Sequence, residues 1–301
     1  MSGPRALVPA LGGAACALAL AAPARAEPDA PKAERADASR LAAQLTAGAS
    51  LVGGNARQIA ASASGKIDWR SGDLALGAQS IGNYGRGAAP GEGTQEHARN
   101  VWTRARADRF VGDRFAAFLL VQHRYDRFQG LDFRGNLDPG VKYVVFEGEA
   151  LSASVEAGYD LQHDVRRFAD TVLYLDEDRT TPRLDPATGE IARLVRTYTD
   201  HSSRLAAGGR YALGPRLSLS VGVEYLQSFR ASERYRINVD ALAAASLTGA
   251  FGLGVGFLAR WDNAPLPGKR ELDAATTLSL VVALERPARR PPEPADCPPP
   301  R

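Results

Sequence analysis

The chain has 301 residues, 24% of them charged, and a formal net charge of only +3, so it lacks the excess of positive charge that would argue for a nucleic-acid partner. Its two cysteines are Cys16 and Cys297, too few for a disulfide-stapled scaffold. After the first residues no run approaches the ~18 to 20 apolar residues of a membrane helix, which excludes a helical membrane protein.

The first stretch, MSGPRALVPALGGAACALALAAPARA, carries one Arg, then an Ala/Leu-rich run, then Ala24-Arg25-Ala26, the small-x-small pattern of signal-peptide cleavage. Residues 1–26 are therefore expected to direct export, with a mature start near Glu27. Cys16 lies in that run behind Gly13-Ala14-Ala15, a poor lipidation motif, so the exported chain keeps Cys297 alone and no internal disulfide. Residues 27–42 are polar and Pro/Ala-rich, a linker. Residues 287–301 (PARRPPEPADCPPPR) form a Pro/Arg-rich tail whose expected state is an extended spacer.

Between these ends one pattern recurs. In LTAGASL, Leu45, Ala47, Ala49 and Leu51 alternate with Thr46, Gly48 and Ser50; in QIAASASGKIDW, Ile59, Ala61, Ala63, Ile67 and Trp69 alternate with Gln58, Ser62, Ser64, Lys66 and Asp68. LSASVEAGYDLQ sets Leu151, Val155, Tyr159 and Leu161 against Ser152, Ser154, Glu156, Asp160 and Gln162. RLSLSVGVEY, RINVDALAAASL, FGLGVGFLARW and LDAATTLSLVVAL repeat it with Leu219, Val221, Val239, Leu253, Val255 and Leu280 in charge-free rows. A period of two is an extended strand, because successive side chains point to opposite faces of the pleat.

Counting weaker runs, about twelve strands are expected, starting near 43, 57, 73, 100, 114, 134, 150, 192, 216, 236, 251 and 274, most of them ~10 to 13 residues long, as a tilted strand crossing a bilayer requires. Every second connection is tight and Gly-bearing: Ser71-Gly72-Asp73, Gly112-Asp113, Glu147-Gly148-Glu149, Gly214-Pro215 and Gly249-Ala250. Most of the others are long, including GNYGRGAAPGEGTQEHA, DRFQGLDFR, the charged residues 169–190, QSFRASERYR and DNAPLPGKRE; Gly53-Gly54-Asn55 is short. Short turns on one rim and long loops on the other is the outer-membrane arrangement. Aromatics group beside both rims: Trp69, Phe110, Phe115, Tyr143, Phe146, Tyr211 and Phe251 at the tight turns, Tyr84, Trp102, Tyr125, Tyr159, Tyr225 and Trp261 at the loops. Trp102 and Phe110 share parity with Arg104 and Arg106 and fall outside the lipid-facing row.

The expected fold is thus an all-β, antiparallel, up-and-down transmembrane β-barrel over residues 43–286, with the apolar rows in lipid and the polar rows in the lumen. A soluble lipocalin-like barrel, apolar rows inward, is the alternative. The lumen rows then carry Arg104, Arg106, Lys142, Arg204, Arg210 and Arg260 against Asp108, Asp138, Glu156, Asp160, Glu224 and Asp240. Near-cancelling charges pair with one another, so the expected lumen is narrow and ion-paired. A balance of 33 Arg to 4 Lys suits such sites, because the planar guanidinium meets a carboxylate with two hydrogen bonds.

Catalysis would need His201 with Ser202 or Ser203, or His123 and His163; no signature links them, and no enzyme or cofactor is expected. Asp176, Glu177, Asp178 and Asp185 offer oxygen ligands of the kind calcium takes, but read better as a solvated loop turning at Asp185-Pro186-Ala187-Thr188-Gly189. No metal site is expected.

Residues 100–168 resemble the salt-induced outer-membrane protein family, a bacterial domain of unknown biochemical function. The resemblance rests on Tyr125-Asp126-Arg127-Phe128, Gly130, Asp132, Arg134, the strand Gly140-Val141-Lys142-Tyr143 and Glu156-Ala157-Gly158-Tyr159, with Gly54-Asn55 similar to that family's start. It implies an exported barrel in the outer membrane of a Gram-negative envelope. Outer-membrane lipid and the barrel-insertion machinery are its implied partners, with no established substrate, cofactor or catalytic residue. The family tends to end on an aromatic; here the last strand ends Ala283-Leu284-Glu285. At the loop rim, Asp126 and Arg127 are expected to pair while Phe128 packs and Gly130 permits the turn, a structural latch.

Overall fold

The computed structural model describes residues 40–52, 57–88, 93–148, 150–175, 181–248, 251–265 and 271–286. The expected signal peptide, nearly all of the linker, the proline tail, Gly53-Gly54-Asn55, Gly249-Ala250, Cys16 and Cys297 lie outside the described residues. Twelve strands follow one another: β1 Arg40–Val52, β2 Arg57–Ser71, β3 Leu74–Ala88, β4 Gln95–Val111, β5 Phe115–Asp126, β6 Leu131–Glu147, β7 Leu151–Arg166, β8 Thr197–Ala212, β9 Leu217–Ser228, β10 Tyr235–Ser246, β11 Phe251–Asp262 and β12 Leu272–Arg286. Each pairs antiparallel with its neighbours in sequence, and β1 pairs with β12, closing the barrel. Closure gives every strand two partners and leaves no open sheet edge to face hydrocarbon.

The alternation sets which way the sheet faces. Leu219, Val221 and Leu253 point outward and stay 38%, 40% and 42% exposed, whereas Asp160 and Gln162, on inward positions of β7, are 1% and 0% exposed. A Leu, Val or Phe left half in water forfeits roughly 1 kcal/mol of transfer energy. Repeated over twelve strands, such residues make an apolar belt well beyond the ~300–600 Å² of the largest apolar patch on a typical water-soluble monomer. The outer surface is built for hydrocarbon. The soluble alternative, which needs these rows inside, is not the fold adopted.

The loops are shorter than the sequence suggests and the strands longer. Most of GNYGRGAAPGEGTQEHA and DRFQGLDFR belongs to β3, β4, β5 and β6, and β4 and β6 reach 17 residues each. At ~3.3 Å per residue and the usual tilt of ~35–45°, such strands outrun the ~25 Å apolar band of a barrel in lipid, so the wall projects past the membrane at the long-loop rim. β8 begins at Thr197, later than expected, because the described residues on its N-terminal side, 172–175 and 181–193, are held by isolated bridges of their own, Val172–Arg193, Tyr174–Pro182 and Leu184–Ile191. On the other rim, Gly72, Gly112 and Gly214 take positive φ of 54°, 76° and 143°, the conformation that makes those turns tight. The proposed aromatic girdle loses two rings to the interior: Trp102 lies in the inward row opposite Ile81, and Phe110 is 4% exposed within an apolar cluster with Ala75, Ala116 and Val144. The last strand closes the wall, from Leu41–Arg286 to Ala47–Leu280.

Candidate functional site

Among the described residues the inner wall gathers the buried ionised side chains, Asp108, Asp138, Lys142, Asp160, Asp164 and Arg204 among them. Its contacts run in layers from the tight-turn rim toward the loop rim. Lowest is the Ala75, Phe110, Ala116 and Val144 cluster, with the Arg70 guanidinium 4.4 Å above the Phe110 ring and the Lys142 ammonium 5.9 Å from it. Cation–π placement of this kind lets a cation lie against an apolar floor.

The middle layer crosses the lumen. Arg106 on β4 binds Asp108 at 2.6 Å and Glu156 of β7 at 2.8 Å; Glu156 also takes Arg204 of β8 at 2.8 Å, Arg204 takes Glu224 of β9 at 2.5 Å, and Glu224 accepts from Asn238 of β10 at 2.7 Å. The Phe118 ring lies against both cations, 4.4 Å from the Arg106 guanidinium and 5.5 Å from that of Arg204. Gly140 makes room for it: a Cβ there would stand 2.5 Å from Phe118 Cζ and 2.7 Å from the Ala157 carbonyl oxygen. Gly140 pairs in register with Gly158, where a Cβ would stand 2.7 Å from the Pro139 carbonyl oxygen.

Above it, Asp138 accepts from Gln122 at 3.0 Å, and Asp160 accepts from Asn136 at 2.6 Å and from Arg236 of β10 at 3.1 Å, while Arg236 also binds Gln162. Arg134 grips Asp164 with two hydrogen bonds of 2.7 Å, and Arg124 binds Asp126 at 2.7 Å. β10 and β7 are not neighbours in the wall, nor are β4 and β7. Pairs between them exist only because both partners point inward.

The expected lumen residues stand as follows. Arg106, Asp108, Asp138, Glu156, Asp160, Arg204 and Glu224 are joined in the layers just described. Lys142 and Arg210 occupy inward positions opposite Ala116 and Ser152. Arg104 lies 5.5 Å from the Trp102 ring, Asp240 leans over Gly222, and Arg260 stands on β11 opposite Asp273. Gln162, expected on the lumen row of β7, belongs to the same network; so do Arg124, Arg134, Arg236, Gln122 and Asn136, which were not among the expected residues although strand parity places them on the inward rows. Phe118 carries a weaker signal: Phe115–Val121 is apolar on both faces, and only shared parity with Gln122 and Arg124 further along β5 marks Phe118 as inward.

The residues considered for catalysis separate. Ser202 is buried on the inner face, whereas His201 and Ser203 lie on the outer one, and His201 Nδ1 bonds the Tyr159 hydroxyl. His163 bonds Thr199 at 2.8 Å and the His123 ring packs 5.1 Å from that of Phe133. Asp185 holds its turn, accepting from Ala187 N at 2.8 Å; Asp176, Glu177 and Asp178 lie outside the described residues.

At the rim, Asp126 and Arg127 do not pair: Asp126 ends β5 buried on the inner side, and Arg127 opens the turn that follows. Asp126 takes Arg124 and caps the turn, accepting from the amides of Phe128 and Gln129 at 3.1 Å each; Arg127 binds Glu96 on β4 at 2.7 Å. Gly130 turns the chain with φ 72°, and Phe128 is partly exposed at the rim.

A closed antiparallel barrel, apolar outside and ionised within, is a β-barrel of the outer-membrane class. The sequence profile described as "Protein of unknown function, DUF481" matches residues 45–284, and the chain belongs to that family. No curated protein matches it. Among solved structures it is similar to the NanC porin (8% identity, 80% of this chain and 97% of that one, TM-score 0.42). It is likewise similar to an outer membrane channel from Pseudomonas putida F1 (12%, 83% and 96%, 0.42) and to the outer membrane channel DcaP of Acinetobacter baumannii (8%, 83% and 96%, 0.33). At these scores the likenesses carry no argument about this chain's activity.

Proposed function

We propose that the protein resides in the outer membrane, touches its lipid through the outward rows, and serves as a narrow, non-catalytic conduit for small polar solutes under osmotic stress. The observation that carries the reading is the set of ion pairs thrown across the lumen, Arg106 to Glu156 and Arg236 to Asp160. Pairs that span the interior oppose a wide diffusion pore and leave a polar path suited to ions and small solutes. The osmotic role rests on the family resemblance alone. Reconstitution of the folded barrel in planar bilayers tests the conduit: discrete conductance steps well below those of a sixteen-stranded porin are expected, and a barrel that stays silent would remove solute passage. Growth of a deletion strain at high salt, with transcript levels measured on a salt shift, tests the stress role separately.

A further inference from the structure

Near the loop rim three guanidinium groups converge on the interior. Arg124 on β5 and Arg134 on β6 stand opposite each other in register, each already bonded to a carboxylate, Asp126 and Asp164 respectively. Arg260 comes from β11, diametrically opposite β5 in the barrel, and has no hydrogen bond or ion pair among the described residues. Its charged surroundings are the guanidiniums of Arg124 and Arg134 and the carboxylates of Asp126, Asp273 and Asp240.

Each of those carboxylates is engaged or turned away. Asp126 spends one oxygen on Arg124 and the other on the amides of Phe128 and Gln129. Asp273 accepts from Gln129 Nε2 instead of from Arg260, its register partner. Asp240 lies over Gly222, where a Cβ would fall 2.8 Å from its Oδ1. Arg124 and Arg134 keep donors beyond those their aspartates use, since a guanidinium carries five N–H groups. Like charges meeting across an enclosed space with one of them unpaired raise the free energy of the wall. An oxyanion removes that repulsion and fits the forks of guanidinium groups.

We propose that Arg124, Arg134 and Arg260 form a binding station for a small oxyanion, a carboxylate or a phosphate, in the outer half of the lumen. The station deepens the conduit reading and rests on it for its physiological meaning, with Arg rings being the usual means of selecting anions in a pore.

The test is calorimetric titration of inorganic phosphate, then of acetate, into the folded full-length barrel in detergent at constant ionic strength. One saturable site is expected, weakened at least tenfold in Arg260→Gln and by less in Arg260→Lys, which keeps the charge without the fork. Arg86→Gln, on the outer face, is expected to bind as the parent does. Each variant is first shown to be folded by its unboiled gel mobility; where Arg260→Gln does not fold, Arg124→Gln and Arg260→Lys decide. Absence of a saturable site, or equal affinity in the folded Arg260 variants, overturns the station. Binding without bilayer conductance leaves the station standing and removes the conduit, whereas conductance without binding does the reverse.

Discussion

Glu156 on β7 is the single carboxylate shared by Arg106 of β4 and Arg204 of β8, at 2.8 Å from each. Replacing it with Gln leaves two enclosed guanidinium groups facing each other, a change of the kind that costs about 3 kcal/mol. Urea unfolding of Glu156→Gln in lipid vesicles, followed by tryptophan fluorescence, should show that loss. A shift under ~0.5 kcal/mol, the size expected for an ordinary surface substitution, would show that the layer contributes little.

The Phe118 ring sits where Gly140 has no side chain. Gly140→Ala is expected to destabilise the barrel by about 1 to 3 kcal/mol through overpacking. Phe118→Ala, made in the same chain, should recover part of the loss, leaving the share that comes from the Ala157 carbonyl. A double-mutant cycle reads that coupling directly. Phe118→Ala alone should enlarge the bilayer conductance, since it empties the middle layer.

At the rim the two neighbouring charges have unequal weight. Asp126 is 5% exposed and holds one cation and two amides, so Asp126→Ala should cost about 2 kcal/mol and make the turn after β5 sensitive to external protease. Arg127 makes an exposed pair with Glu96, and Arg127→Ala should cost less than ~1 kcal/mol. Equal effects would contradict this division.

The outward rows make the sharpest contrast with a water-soluble barrel. Val221→Arg places a charge in the apolar band and is expected to lose about 2 to 4 kcal/mol in vesicles. The same replacement in a protein bathed in water would be nearly neutral, so the measurement discriminates the two environments.

Much of this architecture is legible in residue alternation. A strand polar on one side and apolar on the other, such as Leu217–Ser228, declares both its extension and its faces, and a Gly in each tight turn sets the order of rims. Other features are hidden for physical reasons. The first half of β5 is apolar on both sides, so within it nothing but parity with Gln122 and Arg124 separates lumen-filling Phe118 from lipid-facing Leu119. Residues 172–193 carry no long alternating run, and the described ones among them are joined only by isolated bridges. The Asp126 to Arg124 pair follows the two-residue period of a strand, whereas adjacency in sequence suggested Arg127. The middle layer joins residues dozens of positions apart, a relation that closure of the wall creates and that one strand read alone does not contain.

Because Leu41 lies beside Arg286, the polypeptide joins and quits the cylinder at adjacent points on one margin, the margin of the short turns. A reporter fused ahead of Arg40 and one fused behind Arg286 therefore share a compartment. A protease applied to intact cells should cut within residues 167–196 and spare both reporters, giving the sidedness of the molecule from two tags and one digestion.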